Sequence, residues 1–134
     1  MIFVDTSGLY AVLDRGDRHH VRAAEVWELV VGGTEPLVTS SYVRLELHAL
    51  VQARLGLDAV RVLVSDCLTA IQVLAVSDAI HGRAFGALLA AGRRQLSLVD
   101  CVSFEVMREH SIRSVFAFDP HFEEQGFELR PAAD

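Results

Sequence analysis

Ile2-Phe3-Val4-Asp5-Thr6-Ser7-Gly8-Leu9 passes from a β-type run into a helical pattern at a single aspartate. The apolar run stops at Asp5, and Leu9, Val12 and Leu13 then follow at helical spacing. A strand that feeds a helix so directly is the opening unit of an α/β fold. The unit recurs along the chain. Leu37-Val38-Thr39 reads as a second strand, with Ser40 or Ser41 capping a helix that runs to Leu55. Ile71 to Val76 is a third, and Ser77 caps a helix ending at Gly92. Val115 to Phe118 is a fourth, with Asp119-Pro120 opening a short helix, and Phe127-Glu128-Leu129 is a fifth. Three more helices complete the pattern: Arg18 to Val31, Asp58 to Leu68 after the Gly56 stop, and Leu98 to His110 behind a Ser97/Asp100 capping signature. Strands alternating with long helices predict an α/β chain, a three-layer α/β/α sandwich around a central parallel sheet. One domain over residues 1–134 is expected, with 131–134 a frayed tail.

Composition sets the limits of function. With 134 residues, 51% hydrophobic and 22% charged, the chain is neither disordered nor a two-domain machine. About two-thirds of its unfolded surface can be buried, so no disulfide or structural metal is required. Cys67 and Cys101, far apart in sequence, read as small core residues of a reduced, cytoplasmic protein. Apolar stretches such as Ala84 to Ala91 fall short of the roughly 18 residues of a membrane span, and Asp5 interrupts any signal-type apolar region. Eighteen acids against twelve bases give a net charge of -6, which argues against a protein that coats nucleic acid through its overall field. All twelve bases are arginine, a composition bias that also suits bidentate phosphate contacts.

Four carboxylates need an explanation. Asp5 and Asp119 follow strands at the carboxyl edge of the predicted sheet, where open α/β folds bind ligands, although either one alone is a standard helix cap. Glu46 has Tyr42, Val43, Ala49 and Leu50 as its helical neighbours, so its carboxylate is placed on the inward face. A charge there needs a cation or a strong hydrogen-bond set; an arginine partner is the purely structural alternative, but Arg44 and Arg54 are expected to project elsewhere. Asp100 lies in the first turn of an apolar helix, where a capping role is the plainer reading. Brought into one crevice, these acids would repel by about 4 kcal/mol per pair at about 4 Å and an effective dielectric of about 20. An all-oxygen set of this kind calls for Mg²⁺ or Mn²⁺, not Zn²⁺. It would also account for four of the six units of net negative charge. One or two such ions suit hydrolysis of a phosphodiester by in-line displacement. Arg15, Arg18 and Arg22, with the Arg93-Arg94 turn, are the candidates for contact with a phosphate backbone; a merely solvated basic surface is the alternative.

The ordered set Val4-Asp5-Thr6-Ser7, Glu46, Leu96-Ser97-Leu98-Val99-Asp100 and Phe118-Asp119-Pro120-His121-Phe122 with Gly126-Phe127 resembles PIN-domain ribonucleases, and VapC-type toxins most closely. The resemblance covers practically the whole chain. It implies an acidic pocket of Asp5, Glu46, Asp100 and Asp119 that holds Mg²⁺ or Mn²⁺, Asp119 acting directly or through a water. Thr6 and Ser7 match the polar pair that helps to orient the first aspartate. The resemblance further implies an endoribonuclease directed at single strands, usually homodimeric, and inhibited by a small VapB-type antitoxin lying along the groove. Ala117 stands where the family often has threonine, so one supporting hydroxyl is missing. The histidines lack a mutually supporting spacing and are assigned no role. Trp27 and Tyr42 occupy core-like helical positions and read as packing or dimer residues, not a base platform.

Two other classes compete. A PIN-like module could bind RNA or a protein without turnover. An aspartyl-phosphate domain is disfavoured because Ser7 stands where a phosphatase needs its second aspartate, and a receiver domain needs a lysine that this chain lacks.

Overall fold

The computed structural model describes residues 1–132. Five strands form one sheet: β1 (Ile2–Val4), β2 (Leu37–Ser40), β3 (Gln72–Leu74), β4 (Ser114–Phe116) and β5 (Glu128–Arg130). They are all parallel, in the order β3-β2-β1-β4-β5. Every residue of β1, β2 and β4 is buried. Successive side chains of a strand point to opposite faces, so this burial means that both faces of the sheet are covered. The helices α1 (Thr6–Leu13), α2 (His20–Gly32), α3 (Ser41–Leu55), α4 (Leu57–Val62), α5 (Asp78–Ala91), α6 (Leu98–Glu109) and α7 (Pro120–Glu124) supply that cover. Phe3, Phe116 and Phe122 are the largest of the fully buried side chains, packed with residues such as Leu47 and Met107.

The chain builds outward from β1 to β2 and β3, then returns to lay β4 and β5 on the other side. The order therefore reverses between β1 and β4, and the carboxyl ends of these strands open a crevice of the kind that binds ligands in doubly wound folds. One glycine brings the two together. A Cβ at Gly8 would lie 2.4 Å from the Phe116 carbonyl oxygen, so the first turn of α1 touches the β4 backbone only because no side chain intervenes. The Asp5 backbone N–H donates to that carbonyl at 3.1 Å.

All five strands lie where the sequence predicts them, with shifted ends. β4 stops at Phe116, because the Phe118 N–H leaves the ladder to donate to Ser7 Oγ. The single helix predicted over Asp58 to Leu68 is broken. α4 gives way to a π-helical turn (Leu63–Cys67) and a 3-10 turn (Leu68–Ala70). Ser65 Oγ donates to the Arg61 carbonyl and Thr69 Oγ1 to the Ser65 carbonyl, and hydroxyls that take helix carbonyls in this way loosen regular winding. At the carboxyl end, the Ala132 carbonyl accepts from Arg22 at 2.9 Å. Of the tail expected to fray, residues 133–134 lie outside the described residues. Cys67 and Cys101 are buried and unbridged, and burial pushes both thiols up, Cys67 to about 11. Among the described residues no helix is long and apolar enough to cross a membrane.

Candidate metal centre

Three helix starts meet at the carboxyl edge of β1 and β4, and an aspartate takes part in each. Asp5 caps α1: its Oδ2 accepts from the Ser7 N–H at 3.1 Å and from Ser7 Oγ at 2.7 Å. Asp119 caps α7, with Oδ1 accepting from the His121 N–H at 2.9 Å and Pro120 opening the helix. Asp100 completes a capping box on α6, its Oδ2 accepting from the Ser97 N–H at 3.1 Å while Ser97 Oγ accepts from the Asp100 N–H at 3.0 Å. The capping reading and the ligand reading are therefore not alternatives. Amide donors at helix starts stabilise a carboxylate that water would otherwise have to solvate.

A groove of about 510 Å³ collects all four predicted acids, Asp5, Glu46, Asp100 and Asp119, together with Thr6 and Ser7. Asp5 is 3% exposed. Burial, with smaller contributions from Asp100 and Asp119, pushes its carboxyl up to about 7 against the lowering effect of the Ser7 hydrogen bonds. Burial likewise raises Asp100, and Asp119 adds to the rise. Ser7 also ties the site to the segment that follows β4, since the hydroxyl that donates to Asp5 accepts from the Phe118 N–H at 3.0 Å.

Glu46 is less deeply placed than its apolar neighbours predict. It is half-buried on the groove wall and, among the described residues, has no hydrogen bond or ion pair; like Asp5, it stands outside the tightest cluster of donors. Arg54, expected to project elsewhere, shares that wall: Glu46, Leu50 and Arg54 follow at intervals of four on α3 and line the groove together. Its guanidinium lies 5.4 Å from the centre of the Tyr10 ring. Of the predicted phosphate-contacting arginines, Arg18 lines the groove and Arg15, Arg22, Arg93 and Arg94 do not. Arg93 is paired with Glu124 at 2.7 Å.

His121, given no role by the sequence, belongs to the cluster. Its Nδ1 lies 3.0 Å from Asp119 Oδ1 and 3.7 Å from Asp100 Oδ2, and ligand atoms of these three residues all fall within 4.8 Å of one another. The signal was its place two residues after a strand-end aspartate, not a spacing among histidines. His121 Nδ1 is buried without a hydrogen-bond partner, and so is Thr6 Oγ1 on the groove floor. Two orphaned polar atoms beside crowded carboxylates are what a small cation and its waters would satisfy. The residues present therefore fit a divalent ion.

A family model described as PIN domain matches residues 2–128. The chain belongs to the PIN domain family. Two curated relatives, from two strains of Mycobacterium tuberculosis and both named 23S rRNA-specific endonuclease VapC20, are 36% identical over 98% of this chain and 99% of their own. The crystal structure of M. tuberculosis VapC20, titled a Sarcin-Ricin loop cleaving toxin, superposes with a TM-score of 0.84 at 33% identity, covering 95% of this chain and 96% of that one. FitAcB from Neisseria gonorrhoeae shares the fold, with a TM-score of 0.69 at 18% identity over 96% of each chain. The PIN assignment agrees with the parallel sheet and with the acidic groove, both of which stand on the residues alone.

Proposed function

We propose that this PIN-domain chain is a Mg²⁺- or Mn²⁺-dependent endoribonuclease, the cytoplasmic toxin of a toxin-antitoxin pair. The observation that carries the reading is the convergence of Asp5, Asp100 and Asp119 at three helix starts, with Glu46 lining the same groove. Asp5, Asp100, Asp119 and Glu46 are the metal-holding and catalytic set: Asp100 and Asp119 form the tightest cluster of donors with His121, and Asp5 and Glu46 line the same groove. When bound, the ion lowers the pKa of a water nucleophile and neutralises charge developing on the phosphate. Ser7 fixes the rotamer of Asp5, and Thr6 keeps an unpaired hydroxyl on the groove floor. Arg18 at the groove rim draws in a phosphate backbone that the carboxylates alone would repel.

The similarity to VapC20 supports ribosomal RNA as the substrate class and the sarcin-ricin loop as the first sequence to test. A VapB-type antitoxin and a homodimer complete the reading. Purified protein is incubated with a synthetic RNA hairpin of sarcin-ricin loop sequence, with Mg²⁺, with Mn²⁺ or with EDTA, and the RNA ends are mapped. Site-specific cleavage that needs the ion and is lost in Asp100→Asn is the expected result. Binding of the hairpin without cleavage under any ion would favour a non-catalytic RNA-binding module instead.

A further inference from the structure

We propose that the imidazole of His19 is a stacking platform for a nucleobase beside the scissile phosphate, an inference that rests on the ribonuclease reading above. The ring lies parallel to that of Phe118, centroids 4.3 Å apart and planes 7° from coplanar. It is the outermost of a run of aromatic contacts: Trp27 stacks on Phe116 at 5.9 Å, and Phe116 meets Phe118 edge-on at 6.3 Å. His19 is half-buried and lines the acidic groove beside Phe118.

The platform is held in register with the acidic centre. Phe118, beneath it, donates its N–H to Ser7 Oγ, the hydroxyl that donates to Asp5. His19 is itself fixed at both ends, its N–H donating to Asp17 Oδ1 at 2.8 Å and its Nε2 accepting from Arg18 Nε at 3.1 Å. His19 and Phe118 also form the wall between the acidic groove and a second cavity of about 190 Å³ lined by Leu129 and Pro131. A strand whose phosphate lies in the groove beside Arg18 can drop its neighbouring base over this wall. Stacking accepts any base, so the platform adds affinity and position and leaves sequence choice to other contacts.

The test compares His19→Ala and His19→Phe on the hairpin RNA, each variant first checked for native thermal unfolding. The expected result is a KM about tenfold higher for His19→Ala with a much smaller change in kcat, and a KM restored by His19→Phe. An abasic residue next to the cleaved bond should raise the wild-type KM similarly and leave His19→Ala almost unaffected. An unchanged KM in His19→Ala, or equal abasic penalties in both proteins, overturns the platform and leaves the nuclease reading standing. If the wild type cleaves nothing, the nuclease reading falls and binding decides the platform. Hairpins carrying 2-aminopurine at each loop position in turn should then be quenched by wild type and not by His19→Ala; equal quenching overturns the proposal.

Discussion

Asp5 illustrates what a buried helix-capping carboxylate costs the fold. Its pKa is about 7 in the native protein against 3.8 as the ordinary value, because burial outweighs the Ser7 donors. Between those pH values the native state holds a proton that the unfolded chain has released, so this group's contribution is full below about 3.8 and is lost as pH rises towards 7. Its charge then costs the metal-free fold on the order of 4 kcal/mol at pH 8. In EDTA, Asp5→Asn should therefore be more stable than wild type to urea at pH 8 and nearly equal at pH 4. A variant no more stable at pH 8 would show that the charge is already compensated. Ser7→Ala acts in the opposite sense. It strips a donor from Asp5 and leaves the Phe118 N–H unpaired, so urea unfolding should show a loss of about 1–3 kcal/mol.

Among the elements, the junction of α1 with β4 sets the geometry of the site. Gly8→Ala forces a methyl group against the Phe116 carbonyl, and backbone cannot yield as a flexible side chain would. The expected loss is about 1–3 kcal/mol in urea unfolding, with weaker Mn²⁺ binding because Asp5 moves with α1. Intact stability and binding would mean that the helix shifts without disturbing the edge. Strand-then-helix units were readable from sequence because the signals are local: an apolar run, a capping side chain, a helical period. What failed was equally physical. The helix over 58–68 broke where Ser65 and Thr69 take carbonyls from the backbone, a competition that apolar periodicity does not register. Arg54 was misplaced because only Glu46's nearest helical neighbours were weighed, and two full repeats of four bring it back to the same wall.

At the scale of the whole molecule, the reversal of strand order between β1 and β4 gathers acids that are almost the length of the chain apart. The three aspartates were legible because each also takes part in a helix start. His121 was not, since its role depends on tertiary closure of α7 against α6, which brings Nδ1 to 3.7 Å from Asp100. Glu46 shows the converse limit: a stripe of apolar neighbours places a side chain on an inner face without saying how deep it lies. The central claim is that this gathered set binds a divalent cation as a unit. Calorimetric titration of Mn²⁺ into the metal-free protein at pH 7 tests it most directly. Saturable binding, with protons released because Asp5 is partly protonated at that pH, and its loss in Asp100→Asn, is the predicted result. No binding heat in the wild type, or equal binding in Asp100→Asn, would contradict it.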